Sequence, residues 1–85
     1  MSTVVWKTVL SISDEQTIDI PADAQMLCAA AQGNNFCIWY RCSPDAPKAP
    51  RRIRIAGTGH PISDEAWTYI GTCFYGALVF HIFWQ

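Results

Sequence analysis

Apolar and polar side chains alternate with a period of two along much of this chain, which predicts β-strands. Val4 to Leu10 is rich in β-branched and aromatic residues. Thr17 to Ile20 alternates up to Pro21, which cannot continue a central ladder. The pattern therefore predicts a first strand over residues 4–10 and a short edge strand over residues 17–20.

Turn-forming residues separate the next apolar stretches and predict two hairpins. Residues 26–32 and 36–42 flank Gly33-Asn34-Asn35, whose residue types tolerate positive φ. Residues 67–74 and 77–84 flank Tyr75-Gly76 in the same way. The alanine-rich residues 22–31 also permit a short helix, so that alternative stays open at this point.

The pattern of residue types changes twice in the middle of the chain, over residues 43–50 and again over residues 52–55. Residues 43–50 hold three prolines, so they are predicted to form an extended surface loop with little regular pairing. Arg52-Ile53-Arg54-Ile55 then alternates strictly, which places two isoleucines on one face and two arginines on the other. We expect the isoleucine face to lie in the core.

The last stretch, residues 77–84, is apolar on both faces and predicts a strand that is central in its sheet or lies at a subunit interface. Six to seven short strands with frequent turns predict an all-β domain over residues 1–85, a small antiparallel sandwich or partly open barrel. Its expected core contains five apolar side chains from three strands: Ile38, Ile53, Ile55, Phe80 and Ile82.

Composition narrows the classes of function. Hydrophobic residues make up 51% of the 85 positions, charged residues 15%, and the net charge is −1. This apolar surplus in a small domain predicts a homo-oligomer, with a dimer as the first choice. The balanced charge argues against nucleic acid and an anionic membrane as partners. No apolar run reaches the roughly 20 residues that a membrane-spanning helix needs.

The cysteines and histidines do not have the spacing of a known metal or redox site. The four cysteines include no Cys-x-x-Cys pair and no export signal is evident, so we expect buried free thiols in a cytoplasmic protein. No metal and no cofactor are expected. Neither His60 nor His81 has the partners of a catalytic triad in sequence, and His81 is expected to be a core histidine bonded to backbone. The protein is therefore predicted not to be an enzyme.

Gly57-Thr58-Gly59-His60-Pro61 is the most unusual segment. Its glycines let the backbone approach another group closely, Thr58 offers a hydroxyl, and His60 offers an imidazole. Such a loop suits an anion or a nucleotide phosphate. The alternative is a rigid turn whose histidine caps a strand.

Four further side chains are candidates for the same ligand site. Arg52 and Arg54 would supply positive charge to a phosphate or carboxylate, and Trp39 or Trp67 would supply a stacking surface. The alternatives are a solvated strand face for the arginines and core packing for the tryptophans.

The chain resembles a family of small proteins from tailed bacteriophages. The most specific stretches are Gly57-Thr58-Gly59-His60-Pro61 and Val79-Phe80-His81, with further similarity around residues 13–18, 36–39 and 69–72. The resemblance implies a phage origin and carries no assigned chemistry. A small phage accessory protein is expected to act in the host cytoplasm by stoichiometric binding, for example by sequestering a nucleotide-type signal as counter-defence. An inhibitor that occludes a host protein and a minor virion component remain the alternatives.

Overall fold

The computed structural model describes residues 2–85 and contains seven strands and no helix within them. All of the strand pairs are antiparallel. The strands are β1 (Val4–Leu10), β2 (Glu15–Pro21), β3 (Gln25–Gln32), β4 (Asn35–Cys42), β5 (Lys48–Gly57), β6 (Thr68–Tyr75) and β7 (Leu78–Trp84).

The strands form two sheets that enclose the core. One sheet has the order β1-β4-β3 and the other the order β2-β5-β7-β6, and the two do not join into a closed barrel. This confirms the predicted all-β class with its two-sheet, open arrangement. Edge strands β3 and β6 lie against each other, which brings the two sheets together on one side.

Both predicted hairpins are present, with their turns at Gly33-Asn34 and Gly76-Ala77 rather than at residues 33–35 and 75–76, and a glycine with positive φ opens each turn. Gln32 pairs with Asn35 across Gly33 (φ +61°), and Tyr75 pairs with Leu78 across Gly76 (φ +58°). Positive φ at the first of two central residues is typical of a type II′ turn, whose twist suits the flanking strands. The turns therefore set the register of both hairpins.

The alternation in β5 divides the two faces as predicted. Ile53 and Ile55 are buried, while Arg52 and Arg54 lie on the opposite face, called here the outer face of the four-stranded sheet. Ile38 and Ile82 are also buried, and Phe80 is half-buried and packs against them. The predicted core is therefore confirmed.

The structure decides one open alternative in the middle of the chain and corrects one prediction. Residues 25–32 form β3 rather than part of a helix, because pairing with β4 satisfies their backbone groups. Lys48 to Pro50 belong to β5 and pair with β2, so the proline-rich segment is only a loop up to Pro47. Pro50 is accommodated because β7 pairs only with residues 53–57 of β5, so Pro50 has a partner strand on one side alone.

Strand β7 lies between β5 and β6 and is thus central in its sheet. Only one of its faces meets the core, so Val79, His81 and Phe83 on the other face are half-buried. The described residues contain no helix long and apolar enough to cross a membrane.

The cysteines are free thiols, and three of them are buried. Cys28 is exposed, which corrects the expectation of four buried thiols. It lies on β3 opposite Trp39, on the side of the three-stranded sheet that the second sheet does not cover. No group of three or more metal-binding side chains comes together among residues 2–85.

Candidate functional site

Residues 57–60 form a tight turn between β5 and the following loop. The His60 N–H donates to the Gly57 carbonyl at 2.9 Å, and Gly59 has a φ of +87°. Positive φ at the third residue is typical of a type II turn. The Thr58 N–H donates to the Val79 carbonyl at 3.2 Å, which anchors the turn to β7.

Gly57 makes room for the imidazole of His60. A Cβ atom at Gly57 would lie only 2.9 Å from Nδ1 of that ring. The close approach expected of this glycine therefore occurs within the chain, between the strand end and its own turn. The result is a His60 ring held against the backbone while remaining exposed to solvent.

A cleft of about 420 Å³ opens beside this turn. We call it the hairpin cleft, because it lies between the turn and the beginning of β7. Three of the predicted ligand residues, Gly57, Thr58 and His60, line one side. Residues 77–80 line the other side with the apolar side chains of Ala77, Leu78, Val79 and Phe80.

His60 also borders a second, smaller cavity of about 100 Å³. Asp14 and Ile12 from the β1–β2 loop contribute to that cavity. The two cavities adjoin each other, because Gly57, His60 and Phe80 line both. Asp14 lines only the smaller one, and no acidic residue lines the hairpin cleft itself among the described residues.

Arg52 is engaged by two carboxylates. Its guanidinium donates to Glu15 at 2.9 Å and to Glu65, and lies 5.0 Å from the centre of the Trp67 ring. Hydrogen bonds from Arg52 and then Ser63 lower the pKa of Glu65 from its ordinary value of 4.5 to about 2. The same contacts with Glu65 and Glu15 raise the pKa of Arg52. This cluster fastens the β5–β6 loop to the sheet.

Arg54 is engaged by backbone carbonyls. It donates to the carbonyl oxygens of Asp14 and Pro61 at 2.8 Å and of Ile55 at 2.6 Å. The Asp14 carboxylate lies 3.8 Å away. Arg54 thus joins the β1–β2 loop to the β5–β6 loop across the outer face.

The eight predicted ligand residues occupy three separate places. Arg52 lies five residues along β5 from Gly57, a separation of about 16 Å in an extended strand. Trp39 lies on β4 in the other sheet. The three groups are the turn with Gly57, Thr58, Gly59 and His60, which Arg54 adjoins through its bond to the Pro61 carbonyl, then Arg52 with Trp67, and Trp39 by itself.

A polar chain on the outer face was missed from sequence. Nε2 of His81 lies 2.8 Å from the Thr58 hydroxyl, and Nδ1 lies 3.1 Å from the Thr72 hydroxyl. The Thr72 hydroxyl in turn lies 2.6 Å from the Tyr69 hydroxyl. His81 is therefore half-buried on the outer face and bonded to side chains, which corrects its assignment as a core histidine bonded to backbone.

One part of this polar chain could have been found in the sequence. A two-residue turn at Gly76-Ala77 pairs Tyr75 with Leu78, and counting back along both strands pairs Thr72 with His81. The contact between His81 and Thr58 could not be predicted from this pairing, because Thr58 lies in a loop outside the hairpin.

Comparison with known protein families identifies the family to which this chain belongs. The model of a domain of unknown function, DUF7352, matches residues 1–85. The chain belongs to the DUF7352 family. No curated protein and no solved structure matches it. The DUF7352 description names no activity, so the function of this family member has to be argued from its hairpin cleft and surfaces.

Proposed function

We propose that this protein acts without catalysis, by stoichiometric binding of a small molecule in the hairpin cleft. The observation that carries the proposal is the meeting of a cleft of about 420 Å³ with Thr58 and His60. Small-molecule sites have volumes of roughly 300–1,000 Å³ and combine apolar walls with a few polar groups. The hairpin cleft has both properties.

The arginine contacts bear on the type of ligand. A nucleotide phosphate is best held by guanidinium groups that offer two parallel donors. Arg52 already donates to Glu15 and Glu65, and Arg54 already donates to three carbonyls. The geometry therefore favours a ligand with less charge than the nucleotide-type signal expected from sequence.

The biological setting of the proposal comes from the resemblance to tailed-bacteriophage proteins. In that setting the protein sequesters its ligand in the host cytoplasm as part of counter-defence. A homo-oligomer would provide one hairpin cleft for each copy. This setting rests on the resemblance alone and is separate from the argument for the cleft.

A second candidate function is the occlusion of a host protein. It is favoured by two large side chains that pair at the β6–β7 hairpin end, where Leu78 is 58% and Tyr75 42% exposed, and by Phe74 on the opposite face, which is 68% exposed. Exposed aromatic and aliphatic groups that lie together are typical anchors of protein interfaces. The two candidates share Leu78, so one experiment can compare them.

Native mass spectrometry of the protein purified from phage-infected cells tests the proposal. We expect a bound small molecule in the wild type that is lost in Leu78→Asp, because the substitution places a charge on the apolar wall of the cleft. Leu27→Asp is the matched control, since Leu27 is 53% exposed and lies on β3 away from the cleft.

The outcomes separate the candidates. A small molecule that is retained by Leu27→Asp and lost by Leu78→Asp supports ligand sequestration. A host protein that is retained by Leu27→Asp and lost by Leu78→Asp would instead favour occlusion. A thermal-shift panel of nucleoside monophosphates and cyclic dinucleotides adds a direct test, because stabilisation by a nucleotide would restore the phosphate hypothesis.

A further inference from the structure

The Thr58 hydroxyl ends the polar chain that begins at Tyr69 and passes through Thr72 and His81. Each hydroxyl has one proton to donate, and a neutral imidazole has one donor and one acceptor nitrogen. The two hydrogen bonds of His81 can therefore run in only two consistent directions. The direction decides what Thr58 offers to the hairpin cleft.

In the first direction, Nε2–H of His81 donates to the Thr58 oxygen, and the Thr58 proton is free for a group in the cleft. In the reverse direction, Thr58 donates its proton to Nε2 and offers the cleft only lone pairs. A bound acceptor selects the first direction, and a bound donor selects the second. His81 thus acts as a positioning residue that sets the orientation of the Thr58 proton.

The cleft lining favours the acceptor. Its polar members are Thr58 and His60, and no carboxylate lies among its lining residues. The imidazole of His60 has an N–H that can donate a hydrogen bond, so it suits an acceptor oxygen. The opposite wall, formed by residues 77–80, is apolar and suits a hydrocarbon body.

We propose that the hairpin cleft binds a small monocarboxylate with an apolar chain. Its carboxylate accepts a hydrogen bond from Thr58 beside His60, and its chain lies against Leu78 and Phe80. One carboxylate needs fewer donors than a phosphate, which agrees with the engagement of Arg52 by two carboxylates and of Arg54 by three backbone carbonyls. The inference rests on the proposed function and names the ligand class of the same cleft.

Octanoate and 1-octanol serve as probes, because they share the length of chain and differ in the carboxylate. Binding is followed by the amide signals of residues 77–80 in ¹⁵N-labelled protein. We expect octanoate to bind about tenfold or more tightly than octanol, the ratio typical of a hydrogen bond to a charged group.

Substitutions of Thr58 test the role of its hydroxyl. Thr58→Val keeps the shape of the side chain and should weaken octanoate about tenfold or more, while Thr58→Ser keeps the hydroxyl and should retain binding. Thr17→Val on β2 is the matched control, since it removes an exposed threonine hydroxyl away from the cleft. The melting temperature of each variant shows whether it is folded.

The ring nitrogens of His81 provide a readout that packing alone would not change. Saturation with octanoate should move the ¹⁵N signals of His81 to the pattern of a donor at Nε2, and Thr58→Val should abolish that response. Octanol should leave the tautomer pattern closer to that of the free protein.

Two negative results have different meanings. If octanol binds as tightly as octanoate, or if Thr58→Val binds octanoate like the wild type, the carboxylate inference is overturned and ligand binding in the cleft stands. If neither probe nor any nucleotide perturbs residues 77–80, the proposed function fails together with this inference.

Discussion

Gly71 on β6 packs against the backbone of Ala29 on β3, so closely that a Cβ atom at Gly71 would overlap the Ala29 carbonyl oxygen. The two residues belong to different sheets. Their contact lies where the register of β6 with β7 shifts by one residue between Tyr69 and Gly71. A bulge and a residue without a side chain thus allow the two sheets to approach along one side.

Gly71→Ala is therefore expected to destabilise the protein by about 1–3 kcal/mol, the usual cost of overpacking. Urea unfolding followed by tryptophan fluorescence measures the change. Thr68→Ala on the same strand is the control and should change the free energy of unfolding by less than about 0.5 kcal/mol, because Thr68 is exposed. Equal stability of Gly71→Ala and the wild type would contradict this prediction, because it would show that β3 and β6 can move apart without loss of stability.

Arg54→Lys is expected to lower the free energy of unfolding by about 1–2 kcal/mol although the charge is kept, because an ammonium cannot reproduce the planar fork of donors. Arg54 holds two loops through the carbonyls of Asp14 and Pro61. Arg41→Lys is the control, since Arg41 is exposed and, among residues 2–85, its side chain donates only to Thr3. A similar loss of stability in both variants would contradict the bridging role of Arg54.

His81→Leu is expected to loosen the turn at residues 57–60, because it removes the hydrogen bond to Thr58. Amide hydrogen exchange at Thr58 and His60 should become about fivefold faster, as follows from the loss of one hydrogen bond. The turn at Gly33, in the other sheet, provides an internal control. Unchanged exchange at both turns would show that His81 does not position Thr58.

The contact between Glu65 and Arg52 predicts a dependence of stability on pH. The pKa of Glu65 is lowered to about 2 in the folded protein, below its ordinary value of 4.5. The stabilisation is thus fully present above pH 4.5 and is lost as the pH falls through about 2. Glu65→Gln should flatten this part of the curve of urea midpoint against pH. A parallel curve for wild type and variant would contradict the prediction.

The thiols should differ in reactivity. Burial raises the pKa of Cys42 and of Cys73, whereas Cys28 is exposed. Since the thiolate is the reactive form, Ellman's reagent should label one thiol quickly in the folded protein and all four in guanidinium chloride. Cys28→Ser should remove the fast phase. A fast phase that persists in this variant would show that a buried cysteine becomes accessible.

The sequence by itself determined the class of fold and most strand positions. Alternation places Ile53 and Ile55 on one side of a strand and Arg52 and Arg54 on the other, and a glycine with positive φ starts each two-residue hairpin turn. These are local properties, set by the pleat of the backbone and by the φ preferences of single residues, so they can be read without knowing any distant partner.

The contacts of the site were decided only by the tertiary structure. Arg52 meets Glu15, which is 37 positions away, and His81 meets Thr58, which is 23 positions away. These two contacts depend on the strand order β2-β5-β7-β6 and on the loop that follows β5. Many orders of seven strands are compatible with the same alternation, so the pattern shows which face a side chain occupies but leaves open which partner it finds there.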